Sequence, residues 1–210
     1  MILGFIHQKG GTGKSTLAIA TAMYLSAQGR KVVIFDADSQ GTAFSWGKRF
    51  GAKFNIAVEP KKVRLLSRDV RSAEETYEDI VVDLPPTVTP QTEKVIEIAD
   101  VLVIPMRPTK PDLWALDRLI ALIHVSDRKP TPPYFVLFNQ CRQEDTCSVF
   151  EALKVRRVQA FENALPIDPV LLDIYEGQPL ADHLNDYMES LMDFLYLNLA
   201  KGINLPRDVH

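Results

Sequence analysis

Residues 9–16 read Lys-Gly-Gly-Thr-Gly-Lys-Ser-Thr, set between the apolar run Ile2–Ile6 and the Leu17-Ala-Ile-Ala that follows. A strand that breaks into glycines and resumes as a helix can take few shapes. Such a loop leaves several backbone N–H groups free to point at phosphate oxygens, and the helix start behind it adds a favourable dipole. Gly10, Gly11, Thr12 and Gly13 supply the cradle, Lys14 a mobile cation and Ser15 a hydroxyl that can ligate Mg²⁺. The general pattern is G-x-x-x-x-G-K-[ST]; here Gln8 takes the place of the first glycine and a second lysine, Lys9, opens the loop. A surface turn is the competing reading, and the flanking strand and Ala-rich helix argue against it. Lys9 is too far round the loop to serve its own phosphates easily, and is placed to reach another subunit's nucleotide.

Short β-branched runs alternate with longer amphipathic stretches along the chain, which predicts β-α-β units, hence an α/β fold with a doubly wound, mostly parallel sheet covered on both faces. Strands are expected at Ile2–His7, Lys31–Phe35, Phe54–Val58, Asp79–Val82, Val101–Ile104 and Tyr134–Phe138. Helices are expected at Thr16–Ala27, Thr92–Ala99, Asp112–Val125, Cys147–Gln159 and Asp186–Gly202, with a short surface helix and loop within Pro60–Glu78. At 210 residues and 46% hydrophobic content, one domain with one sizeable core is expected over residues 1–210. No apolar run approaches the length needed to cross a bilayer, and no signal peptide precedes the first strand, so a cytoplasmic protein is expected. Cys141 and Cys147 then read as ordinary thiols of a reducing compartment.

Phosphoryl transfer needs positioning and charge neutralisation, which puts carboxylates at the C-terminal ends of the strands beside the loop. Lys31–Phe35 runs into Asp36-Ala-Asp38, and Asp79–Val82 runs into Asp83-Leu-Pro-Pro. Asp36 and Asp38 alternate on an extended chain and face opposite ways, so they should not share one role. An apolar strand closing on a single aspartate, as at Asp83, is the pattern that supports Mg²⁺, here expected to act through a water.

The form K-G-G-x-G-K-[ST] resembles the deviant Walker A box of the ParA/MinD ATPases, which dimerise face to face around two ATP molecules. The resemblance extends along most of the chain: Asp36-Ala-Asp-Ser-Gln-Gly-Thr-Ala-Phe-Ser-Trp46, Asp83-Leu-Pro-Pro, Ala99-Asp-Val-Leu-Val-Ile-Pro105 with Pro108, and Pro166 followed by Gly177-Gln-Pro-Leu are similar to the family's successive motifs. It implies a Mg²⁺-dependent ATPase with weak intrinsic turnover. Lys14 would bind β/γ-phosphates, Ser15 would ligate Mg²⁺ and Thr16 would approach the α-phosphate, while Lys9 would stabilise charge across the dimer. Asp38 would orient or activate the attacking water, Asp36 would brace the metal's water shell and Asp83 would support the metal. Asn139 would read the adenine edge, helped by backbone near Pro166. Two positions depart from the family: Ser39 stands where proline is usual, and Asp168 where an arginine is common past Pro166.

The chain resembles the small ParA class that lacks a sequence-reading helix-turn-helix, whose members bind DNA non-specifically as ATP dimers; a nucleoid-associated protein and a ParB-like or cargo-adaptor partner are implied. With a net charge of −3, any DNA contact must come from a local patch. Lys154, Arg156 and Arg157 are the candidates, with Arg128, Lys129 and Arg142 as accessories, and their contacts would be to phosphates and salt-sensitive. A membrane-bound MinD relative would need a terminal helix with a cationic polar face. Asp186–Gly202 offers Asp186, Glu189 and Asp193 there, so it is expected to pack on the core. No metal-cluster C-x-x-C is present. His7, beside the loop, reads as a satisfied structural histidine, and Trp46 and Trp114 as core or interface anchors. Rival roles for the same ATP grip are a MinD-like or other regulatory P-loop ATPase, or a kinase or ligase that does not use DNA.

Overall fold

The computed structural model describes residues 1–60, 67–126 and 130–201. Within them a seven-stranded sheet runs in the order β3-β2-β4-β1-β5-β6-β7, every neighbouring pair parallel. The strands are β1 (Ile2–Phe5), β2 (Val32–Asp36), β3 (Ile56–Pro60), β4 (Asp79–Asp83), β5 (Val101–Met106), β6 (Tyr134–Phe138) and β7 (Gln159–Ala160). The helices are α1 (Lys14–Ala27), α2 (Thr42–Phe50), α3 (Ser67–Glu74), α4 (Pro90–Ile98), α5 (Lys110–Val125), α6 (Cys147–Val155) and α7 (Asp182–Ala200).

Alternation along each strand divides the core. Leu3, Phe5, Val32, Ile34, Val101 and Val103 face the side packed by α1, α2 and α7, whereas Ile2, Val33, Phe35, Leu102 and Ile104 face that of α4, α5 and α6. Both sides are apolar, which is why these strands read as continuous hydrophobic runs. Helix α1 is buried from Leu17 to Leu25, held between the sheet and the helices of its face. Helix α7 buries Leu184, Met188, Leu191, Met192 and Leu195, as expected of a terminal helix that packs on the core. No described helix is long and apolar enough to cross a membrane.

The structure corrects the sequence at several elements. Phe54 ends a 3₁₀ turn over Gly51–Phe54, and the third strand starts at Ile56. Helix α6 stops at Val155, and Arg157 takes a left-handed φ of 55° that turns the chain into β7, where helix was expected to continue to Gln159. Helix α2 had no counterpart among the expected helices, nor did the 3₁₀ helix Pro169–Glu176.

Candidate functional site

Strand β1 lies between β4 and β5 at the centre of the sheet, so the loop that leaves it emerges at the carboxyl edge, flanked by the ends of its neighbours. Gly11 and Gly13 take φ values of 73° and 92°, which a residue with a Cβ rarely adopts. At Gly13 an added Cβ would lie 2.2 Å from Asn139 Nδ2. That amide donates to the Thr12 carbonyl at 2.8 Å. Asn139, expected to read adenine, thus already anchors the loop with one amide hydrogen. Pro166 is exposed immediately after Leu165, which bridges to Asn139, so the two expected base-pocket residues do lie together.

Lys14 is buried, its Nζ 3.5 Å from the Lys9 carbonyl. Burial lowers its pKa, and Asp83 and Asp38 pull it back up. Ser15 and Thr16 stand half-buried in the first turn of α1. The register pairs Asp36 of β2 with Asp83 of β4, and Phe5 of β1 with that same Asp83. Both aspartates therefore sit at the strand ends beside the loop, as the spacing predicted.

Their environments differ. Asp83 is wholly buried, and neither carboxylate oxygen makes a hydrogen bond of good geometry, although the Ser15 hydroxyl lies close enough to act on it. Burial pushes its carboxyl up to about 7, against the pull of Ser15 and Lys14, with Asp36 and Asp38 adding repulsion. A buried carboxylate left without well-placed donors is costly, and a cation is the remedy its chemistry fits. Among the described residues, no group of three or more His, Cys, Asp and Glu could hold a metal ion. Ser15 and Asp83 alone suit Mg²⁺, which keeps several waters and takes further oxygens from phosphates. Asp36, in contrast, accepts from Asp38 N at 3.0 Å and Phe44 N at 2.8 Å. It caps the start of α2, whose own N-cap, Gly41, has no side chain to do so. Its carboxylate is thus engaged by backbone in addition to the role expected of it toward a metal's water shell. Asp38 is half-buried on the turn before α2, and its Oδ1 accepts from Gln40 N at 2.9 Å.

Lys9 is not free to reach outward. Its ammonium pairs with Asp112, on the first turn of α5. Asp112 is fully buried and also accepts from the Thr109 hydroxyl. Burial raises its carboxyl, but the bonds from Lys9, Thr109 and the Arg107 N–H outweigh that and hold it below the ordinary carboxylate range. Sequence reasoning missed this residue; Thr109-Lys-Pro-Asp112 is visible as a helix start, but nothing in it indicates Lys9. His7 is a correction: it is buried and neither ring nitrogen has a hydrogen-bond partner. Burial lowers its pKa to about 4; Asp112 opposes that shift, and Lys14 and Lys9 add to it. Trp46 is buried as expected, whereas Trp114 is 61% exposed and belongs to no core.

The basic residues do not form an unpaired patch. Lys154 pairs with Glu151 at 2.6 Å, Arg156 with Asp117 at 2.6 Å, and Arg142 with Glu144 and Asp145. Arg157 is exposed on the left-handed turn after α6. Arg128 and Lys129 lie outside the described residues. Cys141 and Cys147 are free thiols, the first buried and the second exposed.

A family model described as the CobQ/CobB/MinD/ParA nucleotide binding domain matches residues 3–209. The chain is 33% identical over 168 residues to maintenance of carboxysome distribution protein A of Gloeobacter kilaueensis, covering 77% of this chain and 74% of that one. It is 27% identical over 155 residues to the chromosome-partitioning ATPase Soj of Thermus thermophilus, covering 58% and 59%. Among solved structures, a plasmid partition protein of Borrelia burgdorferi bound to AMPPNP superposes with a TM-score of 0.75 at 18% identity, over 94% of this chain and 98% of that one. MinD of Aquifex aeolicus superposes with 0.71 at 18%, over 91% and 97%.

Proposed function

The chain belongs to the CobQ/CobB/MinD/ParA nucleotide-binding family, and on that premise we propose that it is a Mg²⁺-dependent ATPase of the ParA type that positions or segregates a cargo. The observation that carries the reading is the placement of Asp83, buried and without a well-placed donor, on the strand next to the one that ends in the phosphate loop. In this reading Gly10 to Thr16 hold the phosphates, with Lys14 on the β/γ end and Thr16 near the α-phosphate. Ser15 and Asp83 would hold Mg²⁺, which supplies neutralisation of phosphate charge. Asp38, half-buried on its turn, orients the attacking water. Asn139 and the backbone near Pro166 flank the base.

ATP closes two subunits, and Lys9 leaves Asp112 to reach the partner's nucleotide. A ParB-like protein or cargo adaptor then stimulates hydrolysis and returns the monomer. The relatives named for chromosome partition and carboxysome distribution support the positioning role. Non-specific DNA is the proposed track, on the strength of the resemblance to the small ParA class and not of the Lys154–Arg157 turn, whose cations are mostly paired. A kinase or ligase role would need an acceptor bound beside the loop.

The test is ATP binding and turnover in purified variants. Lys14→Ala is expected to lose nucleotide binding, and Asp38→Ala to bind ATP without hydrolysing it. Unchanged turnover in Asp38→Ala would overturn the assignment of that residue. DNA binding measured with ATP, with ADP and without nucleotide, at two salt concentrations, tests the track: ATP-dependent, salt-sensitive binding is expected, and no binding in any state would remove DNA from the proposal.

A further inference from the structure

The 3₁₀ helix Pro169–Glu176 touches two parts of the site at successive residues. The Tyr175 hydroxyl stands 3.0 Å from Thr16 Oγ1, in the first turn of α1. The carbonyl of Ile174 accepts a 2.8 Å bond from Trp46 Nε1 on α2. Just beyond, Gly177 takes a φ of 74°, and an added Cβ there would lie 2.6 Å from the Phe50 ring. Lys53 Nζ donates to the Gly177 carbonyl at 2.7 Å. The segment is pinned to α2 and its 3₁₀ extension on one side and to the phosphate loop on the other.

We propose that Tyr175 is a positioning residue of the nucleotide site: its O–H donates to Thr16 Oγ1 and leaves the Thr16 hydrogen for a nucleotide phosphate oxygen. This rests on the reading of Gly10 to Thr16 as the phosphate cradle. A threonine hydroxyl has one hydrogen and can accept as well as donate. Paired with a second hydroxyl, it either gives that hydrogen to its neighbour or keeps it for the ligand. Tyr175 is equipped to be the donor, because a phenol is protonated at neutral pH and is a stronger hydrogen-bond donor than an aliphatic hydroxyl. The clamp through Ile174, Trp46, Phe50 and Lys53 holds the backbone on both sides of Tyr175 before nucleotide arrives, so less ordering is required on binding.

A double-mutant cycle on ATP affinity, read by calorimetric titration with Mg²⁺, tests the inference. Tyr175→Phe deletes one oxygen and leaves the Ile174–Trp46 bond in place. A neutral hydrogen bond of ordinary strength corresponds to a loss of about two- to tenfold in Kd. Tyr175→Phe and Thr16→Ala are each expected to weaken binding by that order, and the double variant to be no weaker than Thr16→Ala alone. In a Thr16→Ser background, which keeps the hydroxyl, Tyr175→Phe should again cost its full factor. Wild-type affinity in Tyr175→Phe, or the same loss when Tyr175→Phe is added to Thr16→Ala, would overturn the inference and leave the nucleotide reading intact. A wild-type protein with no affinity for ATP would remove the nucleotide reading and this inference with it.

Discussion

Lys9 and Asp112 form an ion pair within one chain, between the residue that opens the phosphate loop and a carboxylate wholly buried on the first turn of α5. They lie 103 positions apart. A lysine held in this way cannot also reach a second subunit, so the dimer proposed above requires the pair to exchange. Asp112→Asn keeps the shape and removes the charge that retains Lys9. It is expected to shift the ATP-dependent monomer–dimer equilibrium several-fold toward dimer, as read by sedimentation. A weaker dimer would mean that Asp112 places Lys9 for the partner instead of withholding it.

His7 carries a pH signature. Its folded pKa of about 4 lies below the ordinary 6.5, so the unfolded chain binds the extra proton between those values. Stability is then full above pH 6.5 and falls as the pH drops toward 4, by about 3 kcal/mol for a shift of this size. His7→Asn, which cannot titrate, should lose that slope in urea unfolding measured across the interval. A slope identical to that of the wild type would show that His7 does not titrate between the two states.

Asp83 acts in the opposite direction. Its folded carboxyl titrates at about 7, above the ordinary 3.8, so the folded chain holds the extra proton and loses stability as pH rises from about 4 to about 7. Asp83→Asn should therefore stabilise the nucleotide-free protein at pH 8, by about 2–4 kcal/mol. The same variant should lose the stabilisation that ATP with Mg²⁺ gives the wild type. Destabilisation of the nucleotide-free protein at pH 8 would contradict the picture of an uncompensated charge.

Gly13→Ala places a Cβ on the Asn139 amide at a backbone angle that alanine resists. The loop must shift, and about 2 kcal/mol of stability or more is at stake. Loss of ATP binding together with a lowered melting temperature is expected; wild-type affinity in the Gly13→Ala variant would show that the loop tolerates the movement.

The contrast between what the sequence revealed and what it hid follows from how local each signal is. Strands β1, β2, β4, β5 and β6 are Val-, Ile- and Leu-rich because both faces of a parallel sheet are covered, and that composition is visible without a fold. β7 spans only Gln159–Ala160 and carries no apolar run. Helix α2 is obscured by Gly41 and Gly47. The first calls for a cap that Asp36 supplies from the end of β2, and the second is required because a Cβ would come within 2.4 Å of Val58. The phosphate loop and its aspartates were legible because glycine conformations and strand-end carboxylates are local features. Asp112 and Tyr175 were not, since their partners Lys9 and Thr16 lie 103 and 159 positions away. At the Lys154–Arg157 cluster the sequence displays the cations but not the folded pairing of Arg156 with Asp117, 39 positions away.

The most direct measurement is the oligomeric state of the wild type, Lys9→Ala and Asp38→Ala by sedimentation velocity with Mg²⁺ and ATP, with ADP, and with no nucleotide. An ATP-driven switch predicts monomers with ADP or no nucleotide, a dimer of the wild type with ATP, a longer-lived dimer of Asp38→Ala, and no dimer of Lys9→Ala. Monomers in every state while ATP remains bound, or a Lys9→Ala dimer as stable as that of the wild type, would contradict it.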